Sequence, residues 1–312
     1  MNKSAYSENQ QRILEFGVTN KCNLYCPSCK RTGEDYDKFS DLSYDDFEEL
    51  LFLNSKEFKD KRIQFCGDLG DPLMHPEIEK FINISNKFFD NIIINTNGSL
   101  RNSKWFKRVF SNNQKLYFYF GLDGIDHQTT IKYRVNSNFN KVMTHMKVCS
   151  EIDSSRVQWD FTLFDFNRHQ KNQAILMAKD LGININVREN TTDWEFETGF
   201  DEKAIAYAEK DYNYSKITKE KIKPKNIFCK YYDYTSKEFI SLQIDTKFKI
   251  FPCCLMVIDS YEISDFRMPF ENDLHKISYD VAIKKMNTYF NEKKWKETGA
   301  HETCIKLCSE RG

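Results

Sequence analysis

The 312-residue chain carries 46 Lys and Arg against 46 Asp and Glu, so its formal net charge is zero, and 40% of its residues are hydrophobic. Balanced charge argues against a nucleic-acid partner, which asks for a basic excess, and the apolar fraction excludes wholesale disorder. The first ten residues hold no apolar h-region, and no apolar run approaches the roughly 20 residues that cross a bilayer. The expected location is the cytoplasm, where thiols stay reduced, so the ten cysteines point to metal or cluster binding rather than disulfides.

In chain order, residues 13–19 read as a short apolar strand that runs into the first cysteine cluster. An acidic amphipathic helix is expected over 43–58, with Ser43 as N-cap and Asp45 and Asp46 complementing the positive helix start. Residues 62–66 read as a strand, and 75–89 as a helix with Pro76 in its first turn. An Ile-rich strand over 91–95, a short helix over 105–111 and an alternating strand over 116–122 follow. The series closes with a helix over 138–152, a strand over 157–163, a helix over 167–181 stopped by Gly182, and a strand over 183–187.

Such alternation of six strands and five helices predicts parallel strands joined by helical crossovers, an α/β fold. Six units fall short of a closed eight-fold barrel, so an open or partial (β/α)6 barrel is expected, with ligands at the C-terminal strand ends. After Glu189 the rhythm breaks, and residues 190–236 are rich in charge and aromatics without a period. Residues 239–244 and 248–251 then read as a β-hairpin around Asp245-Thr246-Lys247, and 279–295 as a helix. The chain is therefore expected to divide into a core domain over 1–190 and a small α+β unit over 191–312.

Cys22, Cys26 and Cys29 form C-x3-C-x2-C in one loop after the first strand. Thiolates this close converge on a soft metal centre. No fourth Cys or His occurs before Cys66, which leaves one coordination position open, whereas structural zinc closes all four. Two readings stay open on spacing alone, a cluster with a free iron and a zinc half-site whose fourth ligand is distant, such as His75.

The loop resembles the cluster motif of the radical S-adenosylmethionine superfamily, and its place after the first strand matches. The resemblance implies a 4Fe–4S cluster held by Cys22, Cys26 and Cys29, with the fourth iron chelating the amino and carboxylate groups of S-adenosyl-L-methionine. It further implies reductive cleavage of that cofactor to a 5′-deoxyadenosyl radical, which abstracts a substrate hydrogen. An electron donor such as flavodoxin or ferredoxin is implied with it. The residue before the last cysteine is usually aromatic in this family, and here it is Ser28.

Gly67-Asp-Leu-Gly70-Asp71-Pro72 ends the second strand and resembles the family's Gly-Gly-Glu-Pro element, with Leu69 and Asp71 as departures. Glycine there lets backbone approach a ligand, and strand-end carbonyls accept an ammonium group. Thr96-Asn97-Gly98 and Gly121-Leu-Asp123-Gly124 end the third and fourth strands and resemble cofactor-facing elements of the family; their other reading is ordinary turns. Arg134 is either a bidentate clamp for the cofactor carboxylate or a surface arginine at a helix start. The cofactor-binding set is therefore Gly70, Asp71, Pro72, Asn97, Asp123 and Arg134.

Five more cysteines follow residue 228, and Cys304 and Cys308 stand one helical turn apart. Their order resembles the auxiliary-cluster segment, the twitch form of the SPASM extension, of some radical enzymes. By that resemblance Cys229, Cys253 (or its neighbour Cys254), Cys304 and Cys308 hold a second 4Fe–4S cluster with no open iron. A closed zinc site is the alternative. Cys66 and Cys149 read as core residues.

The expected activity is a two-electron oxidation of a small or carrier-bound molecule. Radical modification of a peptide or protein side chain is the alternative, and the first strand at Ile13 leaves no room ahead of it for a leader-gripping domain. A non-catalytic zinc-binding protein is the third reading.

Overall fold

The computed structural model describes residues 13–27, 29, 41–58, 61–66, 69–190, 232–233, 238–239, 241–253, 268 and 270–291. Strand β1 (Ile13–Gly17) is followed by α1 (Tyr44–Leu53) and a short α2 (Ser55–Phe58). Then come β2 (Arg62–Cys66), α3 (Ile78–Ser85), β3 (Ile92–Thr96), α4 (Ser103–Asn112) and β4 (Leu116–Gly121). After α5 (His127–Thr130), the series continues with α6 (Phe139–Asp153), β5 (Val157–Leu163), α7 (Lys171–Asp180) and β6 (Asn184–Glu189). The described remainder holds β7 (Tyr232–Asp233), β8 (Glu238–Phe239), β9 (Ser241–Ile244), β10 (Ile250–Phe251) and α8 (Tyr279–Asn291).

Side-chain caps set the helix starts. Ser43 accepts from the Asp46 N–H at 3.3 Å, Asn102 from Trp105 at 2.9 Å and Asn138 from Lys141 at 3.0 Å. The helix expected from residue 75 starts three residues later, at Ile78. A single 3-10 turn, Pro72–Met74, precedes it. His75 comes next with ψ 127°, because the ring of the following Pro76 drives its predecessor out of the helical region.

One eight-stranded sheet has the order β10-β9-β1-β2-β3-β4-β5-β6. The pairs from β9 to β6 are parallel, and only β10 runs antiparallel, against β9. The α/β parallel sheet therefore stands as expected, and the expected hairpin around Asp245 is found as β9 and β10. Its first strand lies beside β1 in this same sheet.

Every second strand residue faces the helices. Phe16 of β1 meets Phe47 of α1 edge-on at 4.9 Å, Phe65 of β2 meets Phe81 of α3 at 6.2 Å, and Phe118 of β4 meets Phe106 of α4 at 5.1 Å. All six rings are fully buried, and each such burial contributes about 2 kcal/mol. This apolar layer fixes the strand register, and the register carries the strand ends to one rim.

Candidate cluster and cofactor site

The cysteine loop leaves β1 and is fastened at three strand ends. At β2, the Asp71 N–H donates to the Lys21 carbonyl at 2.8 Å. Gly70 sits against the same segment so closely that a methyl group on it would lie 2.1 Å from the Thr19 carbonyl oxygen. At β3, Asn23 donates to the Ser99 hydroxyl at 3.0 Å and Asn97 donates to the Asn23 side-chain oxygen at 2.9 Å. Beyond β4, the Tyr25 N–H donates to Val135 at 3.2 Å, and Asn136 donates to the Asn23 carbonyl at 2.7 Å. Asn136 adopts a left-handed φ of 72°, a conformation asparagine tolerates.

These fastenings bring together the residues named from sequence. The Asp71 carboxylate is fully enclosed, and burial raises its pKa. It accepts from the Leu73 N–H at 2.9 Å, the Thr96 hydroxyl at 2.9 and 3.0 Å, and the Asn97 N–H at 2.8 Å. Its side chain therefore ties the end of β2 to the end of β3. Pro72 starts the 3-10 turn that Asp71 caps and is buried under it.

Arg134 is not a surface arginine. Its Nε donates to Asp123 at 2.6 Å, with the Asp123 side chain at 0% exposure and that of Arg134 at 19%. Asp123 also accepts from the Thr162 N–H at 2.7 Å, joining β4 to β5. Glycine at position 121 leaves room for this arginine, since a Cβ there would lie 2.6 Å from an Arg134 guanidinium nitrogen.

Cys22, Cys26 and Cys29 are half-buried. Burial pushes the Cys26 thiol up to about 12, with the Arg134 guanidinium opposing and Cys29 and Cys22 adding to the rise. Cys22 Sγ accepts from the Leu24 N–H at 3.4 Å and from the Asn97 amide at 3.7 Å. Donors aimed at sulfur stabilise thiolate ligands, and a bound cation deprotonates a thiol outright.

Among the described residues, no three His, Cys, Asp or Glu side chains converge on a point fit for one metal ion. In a four-iron cluster with three protein ligands each thiolate binds a different iron. The distant fourth zinc ligand considered above is also occupied. His75 Nδ1 accepts from the Glu77 N–H at 3.1 Å, so Nε2 carries the proton and donates to the Leu42 carbonyl at 3.1 Å. The donor set fits a cluster with three protein ligands.

Of the second cysteine group, Cys253 is half-buried just beyond β10, while Cys229, Cys254, Cys304 and Cys308 lie outside the described residues. Cys66 and Cys149 are buried, as expected of core residues. Asn23, Ser99 and Asn136, which hold the loop, do not stand out by residue type. No described helix is long and apolar enough to cross a membrane.

No protein-family model matches the chain. Over 113 residues it is 28% identical to the tungsten-containing aldehyde ferredoxin oxidoreductase cofactor-modifying protein of Pyrococcus furiosus, covering 36% of this chain and 31% of that protein. Over 90 residues it is 32% identical to a probable GTP 3′,8-cyclase of Methanocaldococcus jannaschii, covering 28% of this chain and 29% of that one. The matched stretches span less than a third of either relative's length. Streptococcus suis SuiB bound to S-adenosylmethionine superposes with a TM-score of 0.62 at 13% identity, over 91% of this chain and 68% of SuiB. BtrN in complex with AdoMet and 2-DOIA superposes with a TM-score of 0.51 at 13% identity, over 96% and 93% of the two chains. The chain shares the α/β parallel-sheet fold of these two structures.

Proposed function

We propose that this chain is a radical S-adenosylmethionine oxidoreductase that removes two electrons from a small or carrier-bound molecule. The observation that carries this reading is the loop bearing Cys22, Cys26 and Cys29, fastened through Lys21, Asn23 and Tyr25 at the ends of β2 and β3 and beyond β4. A 4Fe–4S cluster bound with S-adenosylmethionine supplies a 5′-deoxyadenosyl radical on reduction. Cys22, Cys26 and Cys29 would hold three of its irons, and Asn97 donates to the Cys22 sulfur. Backbone of the Gly70–Asp71 turn would receive the cofactor's methionine end, and Arg134, oriented by Asp123, would offer a guanidinium to its carboxylate.

In the same proposal residues 1–190 form a partial (β/α)6 barrel, and 191–312 form a twitch-like unit. There Cys229, Cys253, Cys304 and Cys308 would hold a second 4Fe–4S cluster, which would supply a one-electron acceptor. A flavodoxin or ferredoxin in the cytoplasm feeds the first cluster, in a compartment where thiols stay reduced.

Anaerobic reconstitution with iron and sulfide tests both sites. The expected count is about eight irons per chain, falling to about four when Cys304 and Cys308 are replaced by Ala. Bound zinc in a colourless protein contradicts the reading.

A further inference from the structure

Parallel sheets are normally apolar on both faces, so their strands read as near-continuous hydrophobic runs. In this sheet most of the buried apolar layer takes one face, with Ile93 of β3 buried on the other. The residues between the core positions are Glu15 on β1, Gln64 on β2, Asn95 on β3, Tyr119 on β4, and Gln158 and Asp160 on β5. The register sets Glu15 opposite Gln64, and Asn95 opposite Tyr119 and Tyr119 opposite Gln158, while Gln64 faces the buried Ile93, two residues before Asn95 on β3. All six are half-buried, so they line a sheltered surface rather than an outer one.

The charges on this face cancel. Its strand cations are Arg62 and Arg188 and its anions Glu15 and Asp160. Arg188 is paired with Asp160 at 3.4 Å, and the Glu15 carboxyl accepts from Ser241 at 2.6 Å. Among the described residues, two enclosed polar atoms on this face have no hydrogen-bond partner: the acceptor Asn95 Oδ1 and the donor Arg62 Nε. Asn95 lies opposite Tyr119 by strand register, and Arg62 opens β2 two residues before Gln64. Leaving such atoms unpaired costs about 1–3 kcal/mol each, and a ligand hydroxyl, at once donor and acceptor, relieves it.

Resting on the function proposed above, we propose that the substrate is a neutral, hydroxyl-bearing small molecule gripped on this face by Asn95, Tyr119 and Gln64. A nucleoside triphosphate demands several unpaired cations, and the described strand residues of this face, with no net formal charge, do not supply them. Amide and phenol groups instead match hydroxyls one for one.

Equilibrium dialysis of the cluster-loaded full chain tests this without turnover, using labelled myo-inositol, GTP and a neutral Ala-Gly hexapeptide as probes. The wild type should bind myo-inositol, and more tightly than GTP or the peptide. Asn95→Leu and Gln64→Leu should each weaken that binding about five-fold or more, the worth of one or two hydrogen bonds. Cooperative thermal melting of both variants establishes that they fold. Tighter binding of GTP or peptide, no binding of myo-inositol, or equal binding by wild type and both folded variants overturns the proposal. Failure of the wild type to cleave S-adenosylmethionine is a separate result and overturns the proposed function instead.

Discussion

Replacing Gly70 by Ala is expected to destabilise the protein by about 3 kcal/mol and to displace the cysteine loop. The methyl group would lie 2.1 Å from the Thr19 carbonyl oxygen and 2.8 Å from that of Lys21. Both obstacles are backbone, so no rotamer change relieves the clash. Thr19 and Lys21 cannot retreat alone, because the Lys21 carbonyl also accepts the Asp71 N–H. The added atom therefore pushes at the segment leading into Cys22. Thermal melting reads the first effect, and iron bound after reconstitution reads the second. Wild-type values for both would show that the close approach of these two loops is not obligatory.

Replacing Arg134 by Leu should cost about 3–5 kcal/mol, because it strands the fully buried Asp123 carboxylate. Asp123 keeps its bond from the Thr162 N–H, which does not balance a full charge. Replacing Asp123 by Leu as well should recover part of the loss, since two apolar groups no longer leave a buried charge alone. Denaturant unfolding of both single variants and the double variant reads this as a coupling energy. Equal, additive losses would show that the pair contributes nothing beyond its separate members.

Much of the fold was legible as alternation. Ile-Leu-Glu-Phe-Gly, Arg-Ile-Gln-Phe-Cys and Leu-Tyr-Phe-Tyr-Phe-Gly repeat apolar and polar letters with the period of a strand, and the asparagine and serine caps mark the helix starts between them. The helix start at Ile78 was not, because its placement depends on the Asp71-capped turn and the conformational restriction before Pro76. Cysteine spacing, a local property, marked the loop proposed to hold the first cluster. Asp71 shows the limit of that approach. Its motif position points to the cofactor, yet its oxygens serve Thr96 and Asn97 on the neighbouring strand, partners set by register rather than by sequence distance. Arg134 is similar, since spacing alone does not reveal that Gly121 vacates the room its guanidinium fills. The polar sheet face was present in the same alternating letters. Its meaning emerges only when six strands lie side by side.

The account turns on whether Cys22, Cys26 and Cys29 hold a cluster that opens S-adenosylmethionine. The most direct measurement is 5′-deoxyadenosine released by the anaerobically reconstituted protein under a strong reductant, compared with the variant in which all three cysteines are Ala. The account predicts 5′-deoxyadenosine from the wild type and none above background from the variant. Equal release by both, or none from an iron-loaded wild type, would contradict it.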